Sequence, residues 1–114
     1  MHEAGIIESM LAIAEREARG NGAAKINAIR LRVGILRGVV PEALQHAFVV
    51  LRRETAMARE ARLEVDEVNA VFWCDACGRD FKTGSMFGEC PDCGAPSAEI
   101  RSGMELELVS LEVD

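Results

Sequence analysis

Two short stretches, Cys74-Asp75-Ala76-Cys77-Gly78 and Cys90-Pro91-Asp92-Cys93-Gly94, contain all four cysteines of this 114-residue chain. A two-residue gap lets one tight turn direct both sulfurs of a pair at a single ion, and the following Gly permits the left-handed backbone that closes the turn. Twelve residues separate the pairs, so two such turns on adjacent hairpins can build a tetrahedral four-sulfur cage. We predict structural zinc at this cage, because the protein supplies every ligand and leaves no open position for a substrate.

The expected compartment agrees with a metal site. The N-terminus lacks the basic flank and cleavage site of a secretory signal, and no apolar run approaches the ~20 residues that span a bilayer. We therefore expect a cytoplasmic protein, in which paired cysteines bind metal or do redox chemistry rather than form structural disulfides. Rubredoxin-like iron, as in an electron carrier, and a thiol redox function are the alternatives. The colour of the protein separates iron from zinc, since ferric thiolate is red.

The remaining sequence predicts an α+β fold. Apolar residues recur at helical spacing from Ala4 to Arg19, and again from Pro41 to about Arg59. Apolar and polar residues alternate in residues 29–35, 61–66 and 104–113, as in strands, and a phase shift in the last strand predicts a bulge near Leu108. We expect two helices packed on a three-stranded sheet, with an inserted zinc-ribbon module.

This order of segments also predicts two domains. Residues 1–69 plus 102–114 are expected to form an α/β domain, because the last strand must return to the sheet. Residues 70–101 are expected to form the zinc ribbon, inserted before that last strand. An insert of this size cannot bury enough apolar surface to fold unaided, so metal must hold it together.

Charge and composition exclude several functions. The net charge is −6, and residues 64–114 contain twelve acidic but only three basic side chains, so phosphate backbones would be repelled. A zinc-ribbon module that binds nucleic acid or protein is therefore the alternative to a metal-handling role, and we expect neither a nucleic-acid nor a membrane partner. We also expect no enzyme activity, because no histidine lies near a cysteine in sequence and no nucleophile and base form a recognisable set.

The N-terminal residues Met1-His2-Glu3 are a second candidate metal site. An amine, two amide nitrogens and the His2 imidazole form a strong-field nitrogen set of the kind that holds nickel(II) or copper(II) in a square plane. The alternative is an ordinary solvated terminus. The only other histidine, His46, falls on the polar side of the second predicted helix, which indicates a surface residue rather than a ligand.

Taken together, these features resemble the HypA/HybF family of hydrogenase nickel-incorporation proteins. The resemblance covers nearly the whole chain, and it is carried by the segments Met1-His2-Glu3, Val33-Gly34, Pro41-Glu42-Ala43-Leu44, both cysteine pairs and Glu107-Leu108. The cysteine pairs alone are generic. Their combination with the N-terminal triplet and the order of helices and strands is specific.

The resemblance implies a nickel metallochaperone that supplies nickel-iron hydrogenase and, in some organisms, urease. It implies Ni(II) cargo bound by His2, with Met1 and Glu3 contributing largely through backbone nitrogens, and Zn(II) bound by Cys74, Cys77, Cys90 and Cys93. The α/β domain would then be the nickel-binding domain. The implied partners are the GTPase HypB and the hydrogenase large subunit, and the chain itself is expected to be a monomer or a weak homodimer.

Overall fold

In the computed structural model, residues 3–83 and 88–114 are described, and they form two helices and two small sheets. The helices are α1 (Glu3–Gly20) and α2 (Pro41–Leu51). The strands are β1 (Ile26–Gly34), β2 (Arg62–Val68), β3 (Ala70–Cys74), β4 (Arg79–Thr83), β5 (Ile100–Ser102) and β6 (Leu106–Val113). The α+β fold with two helices and an inserted cysteine-bearing segment is confirmed. No helix of the described residues is long and apolar enough to cross a membrane.

The first sheet has the strand order β2-β1-β6. Strands β1 and β2 are parallel, with Ile29 opposite Leu63, and α2 lies in the crossover that a parallel pair requires. Strand β6 is antiparallel to β1, and the register shifts between Arg30 and Leu31, where Val109 is the extra residue on β6. The bulge predicted near Leu108 is therefore confirmed.

Both helices cover one face of this sheet. The core between them is almost entirely aliphatic, and Phe48 is its only buried aromatic side chain among the described residues. Its largest fully buried side chains are Phe48, Ile7, Ile26, Ile29, Leu31 and Leu44. The other face of the sheet is open and carries ion pairs between strands, with Arg30 to Glu64 at 2.8 Å and Arg32 to Glu107 at 3.3 Å.

The helix boundaries match the sequence pattern at three of four ends. Helix α1 ends at Gly20, where the Ala23 N–H donates to the Ala18 carbonyl at 2.9 Å and Gly22 has a φ of 74°. Pro41 occupies the first turn of α2 as expected. The prediction that α2 continues to about Arg59 is wrong, because it ends at Leu51 and two 3-10 turns follow.

The early end of α2 has a tertiary cause. Thr55 is extended, with φ −112° and ψ 100°, which redirects the chain so that Met57 and Ala58 become buried. Arg52 fixes this bend, since its guanidinium donates to the Ala61 carbonyl at 2.5 Å. A continuous helix would carry these side chains past the core.

The second sheet, with the order β4-β3-β5, carries the cysteine segment. Along the chain it follows β2 and precedes β6, and the residues directly after β1 pack against it. At this junction an added Cβ at Gly34 would overlap the carbonyl of Gly103. The Leu36 N–H donates to that carbonyl at 2.8 Å, and the Leu36 side chain packs on the core of the second sheet.

Candidate metal centres

The four cysteine sulfurs lie together at one end of the second sheet, all within 4.8 Å of one another. The Sγ atoms of Cys74 and Cys93 are 3.6 Å apart, and those of Cys77 and Cys90 are 3.9 Å apart. A tetrahedral zinc ion with Zn–S bonds of about 2.3 Å requires sulfurs about 3.8 Å apart. The cage therefore has the dimensions and the ligand set of a four-thiolate metal site.

Each cysteine pair lies in a tight turn of the same form. The Gly78 N–H donates to the Cys74 carbonyl and the Gly94 N–H donates to the Cys90 carbonyl, both at 2.8 Å. Gly78 and Gly94 have φ values of 66° and 74°, a conformation that other residues rarely adopt. The reason given for a glycine after each pair is therefore confirmed by the backbone geometry.

The cage favours ionisation at one sulfur and opposes it at others. The backbone N–H groups of Cys93 and Asp92 lower the pKa of the Cys90 thiol to about 7. Hydrogen bonds to the sulfurs of Cys93 and Cys90 raise the pKa of the Cys77 thiol to about 12. At Cys93 the backbone N–H of Ala95 lowers the pKa, but the hydrogen bond with Cys74 and burial outweigh it, so that pKa is raised. A metal ion entering the cage must therefore displace protons.

The second candidate site begins at the start of α1. Glu3 is the first residue of that helix, and its Oε2 accepts a hydrogen bond from the Val40 backbone N–H at 3.2 Å. Met1 and His2, the other two residues of the predicted nickel site, lie outside the described residues. His46 is exposed on α2, which agrees with its interpretation as a surface residue.

Comparisons with known proteins decide the family. The family model described as "Hydrogenase/urease nickel incorporation, metallochaperone, hypA" matches residues 1–113. This chain belongs to the HypA family. The match includes the N-terminal triplet and both cysteine pairs, so the resemblance seen in the sequence is confirmed.

Individual HypA proteins are similar over their full length. A hydrogenase maturation factor HypA from a Picosynechococcus species is 42% identical, with 99% of each chain covered. HypA 2 of Bradyrhizobium diazoefficiens is 37% identical, with 100% of each chain covered. The solution structure of the Ni metallochaperone HypA from Helicobacter pylori superposes with a TM-score of 0.71 at 28% identity, covering 99% of this chain and 97% of that one.

The structure adds contacts around the HypA cysteine cage that the sequence analysis missed. Arg79, directly after the first cysteine turn, forms an ion pair with Asp92, which lies inside the second. Arg101 lies over the Trp73 ring, 4.9 Å from its centroid, and the Trp73 indole N–H donates to Asp75 at 2.7 Å. The signal available in the sequence was a charged residue within or beside each cysteine pair.

Proposed function

We propose that this chain binds Ni(II) at its N-terminus through His2, Met1 and Glu3, and delivers it during maturation of nickel-iron hydrogenase. The observation that carries the proposal is the family match over residues 1–113, which begins at the N-terminal triplet. The same family description names urease, so delivery to urease is part of the proposal. The GTPase HypB and the hydrogenase large subunit are the proposed partners, and the cytoplasm is the proposed compartment.

The cysteine cage is proposed to hold structural zinc rather than the cargo. Four protein sulfurs complete a tetrahedral site, and Cys74 and Cys90 are buried. Releasing an ion from such a site would require breaking its bonds to all four sulfurs. Zinc in this position would supply cross-linking between the two turns, and residues 70–101 would fold around it as the zinc-ribbon domain.

The start of α1 can bind nickel without loss of helix hydrogen bonds. Glu3 begins α1, and the first N–H groups of a helix have no carbonyl partner within that helix. Deprotonating the Glu3 amide for nickel therefore breaks no α1 hydrogen bond. The Glu3 carboxylate meanwhile contacts the Val40 N–H, which fixes the position of the chelating backbone relative to α2.

The test is a nickel titration with zinc content measured in the same samples. His2→Ala should abolish stoichiometric nickel binding and leave zinc content unchanged, because residue 2 lies far along the chain from the cysteine pairs. His46→Ala is the matched control, because it removes an exposed imidazole that we do not propose as a nickel ligand. This variant should bind nickel as the wild type does. A His2→Ala protein that still binds one nickel per chain with wild-type affinity would move the cargo site elsewhere.

Nickel binding at this site should also weaken at low pH. The imidazole must be neutral to bind metal, and its ordinary pKa is about 6.5. Affinity should therefore fall as the pH drops below that value, and an affinity that stays constant from pH 7.5 to 5.5 would argue against a His2 ligand.

A further inference from the structure

A free strand edge lies beside an apolar groove on the first sheet, away from the cysteine cage. Strand β6 pairs with β1 on one side, and among the described residues no strand pairs with its other side. A strand edge of this kind presents unpaired N–H and C=O groups that another extended chain can join. The bulge at Val109 interrupts it, and the pairing with β1 has a second register shift opposite Glu112 and Val113.

The groove runs between α1 and β6 and has a volume of about 190 Å³. Its walls are apolar, and they are formed chiefly by Ile6, Met10, Ile13, Leu31, Leu106 and Leu108. Two small residues one helical turn apart, Gly5 and Ser9, leave it open, and an added Cβ at Gly5 would meet no atom within 4 Å. The groove thus has space for side chains that the chain itself does not provide.

Large apolar side chains remain exposed along this edge. Ile13 on α1 is 39% exposed, and Val109 and Val113 on β6 are each 40% exposed. A strand added to β6 would direct alternate side chains toward the helix side, where they would cover Ile13 and enter the groove. The remaining side chains would lie on the open face, near Glu107 and Glu112.

Charge selects the kind of strand that fits. Residues 103–114 contain four acidic side chains, Glu105, Glu107, Glu112 and Asp114, and no lysine or arginine. Glu107 and Glu112 form ion pairs with Arg32 and Arg62, yet their side chains remain 53% and 64% exposed. A second copy of β6 would bring carboxylates toward carboxylates, which disfavours pairing, whereas a basic strand would complement them.

We propose that the free edge of β6 and the adjoining groove bind an extended segment of a partner protein in which apolar residues alternate with basic ones. Backbone hydrogen bonds to β6 would hold the segment, its apolar side chains would fill the groove, and its basic side chains would contact Glu107 and Glu112. The groove is lined by none of the residues that we propose to bind metal.

The test uses the full-length protein and a fluorescein-labelled peptide, acetyl-Lys-Val-Lys-Val-Lys-Val-Lys-amide. Val109→Lys should weaken binding about tenfold or more, because it adds a like charge at the edge of the sheet. Val49→Lys is the matched control, since Val49 is 43% exposed on α2 and the same charge is added away from the edge. Ile13→Lys, at the rim of the groove, should weaken peptide binding as Val109→Lys does. It replaces Val109→Lys in the test if the Val109→Lys protein fails to fold.

Hydrogen exchange locates the bound peptide. The proposal requires slower exchange of amides in residues 106–113 on binding, and no binding of the acidic peptide in which every Lys is replaced by Glu. Three results would overturn it. They are a basic peptide that does not bind, equal weakening by Val49→Lys and Val109→Lys, and protection confined to other residues. Sedimentation showing a wild-type dimer that Val109→Lys dissociates would assign the edge to a second copy, and would overturn it as well.

Discussion

Glu3 links the first turn of α1 to the start of α2 through a hydrogen bond. Its carboxylate accepts a hydrogen bond from the N–H of Val40, which is the N-cap residue of α2. The Val40 side chain has no acceptor with which to cap that helix. A Glu three residues into a helix plays the same part in a capping box. Here the carboxylate comes from another helix, so the first turn of α1 and the start of α2 are held together.

We expect Glu3→Ala to lower the free energy of unfolding by about 1 kcal/mol, because the hydrogen bond and its negative charge at a helix N-terminus are both lost. Glu3→Gln keeps an acceptor oxygen and should cost less. Urea denaturation followed by circular dichroism measures both. Glu8→Ala, an exposed position on the same helix, is the control and should change stability little; equal losses at both positions would contradict this role.

Proton release on metal uptake follows from the unequal sulfurs of the cage. At pH 8 Cys90 has mostly lost its proton, since its pKa is about 7, whereas Cys77, with a pKa of about 12, still holds one. The raised pKa of Cys93 keeps that sulfur mostly protonated as well. A metal ion that binds all four as thiolates must displace the protons that remain.

Zinc binding to the metal-free protein at pH 8 should therefore release at least the protons of Cys77 and Cys93. At pH 6 the number should rise, because Cys90 is then protonated too and its proton must also leave, so affinity should fall. Calorimetry in buffers of different ionisation enthalpy counts the protons at each pH. A count that does not change between pH 8 and pH 6 would contradict the low pKa of Cys90.

The crossing of two backbone segments at the junction between the sheets depends on two glycines. Gly34 ends β1 and Gly103 precedes β6. An added Cβ at Gly34 would overlap the Gly103 backbone, and one at Gly103 would lie 2.9 Å from the Ala70 Cα. Gly103 also has a φ of 117°, which strains any other residue. Hydrogen bonds from the Gly34 N–H to the Glu105 carbonyl at 2.7 Å and from Arg37 Nε to the Met104 carbonyl at 2.7 Å surround the crossing.

Gly34→Ala should therefore be severely destabilising, by about 3 kcal/mol or more, because backbone rather than a flexible side chain must move. Gly20→Ala is the control, since Gly20 has open space around its Cα and its φ is not positive. Thermal unfolding of the two variants makes the comparison. A Gly34→Ala protein as stable as Gly20→Ala would show that the junction can separate at little cost.

The sequence predicted the parts of this fold that leave a local signature. The spacing of the cysteine pairs anticipated the turns at Gly78 and Gly94, and the phase shift after Leu108 anticipated the bulge at Val109. In both cases the responsible residues are neighbours along the chain. Periodicity and turn chemistry are properties of such neighbours, so they are readable without the structure.

Contacts between distant residues were not predictable in the same way. Helix α2 ends at Leu51 because Met57 and Ala58 must reach the core. Residues 52–56 contain neither Gly nor Pro to mark the end of the helix. The Glu3 to Val40 hydrogen bond and the Gly34 to Gly103 crossing join segments that are 37 and 69 residues apart. No periodicity records such pairs, so only the folded chain shows them.

The two hydrophobic cores of the molecule differ greatly in size. Among the described residues, the core of the first sheet contains sixteen buried side chains, which come from both helices, from β1 and β2, and from the segment between α2 and β2. The core of the second sheet contains five of the described residues, and two of those are the cysteines Cys74 and Cys90. Phe72 stacks on Phe81 in this core, with ring centroids 5.8 Å apart. A core so small does not hold a chain segment folded without a cross-link.

Removing the metal should therefore unfold residues 70–101 and leave the first sheet intact. The pairing of β6 with β1 should survive, because closing the unfolded loop of n residues between β2 and β6 costs only about (3/2)RT ln n in entropy. In addition, Leu106, Leu108 and Leu111 still pack on the larger core. Amide spectra recorded with a chelator, and for Cys74→Ser and Cys93→Ser, should lose the dispersed signals of residues 70–101 alone. Loss of the dispersed signals from Ile29 and Leu31 in the same step would show that the two cores fold as one unit.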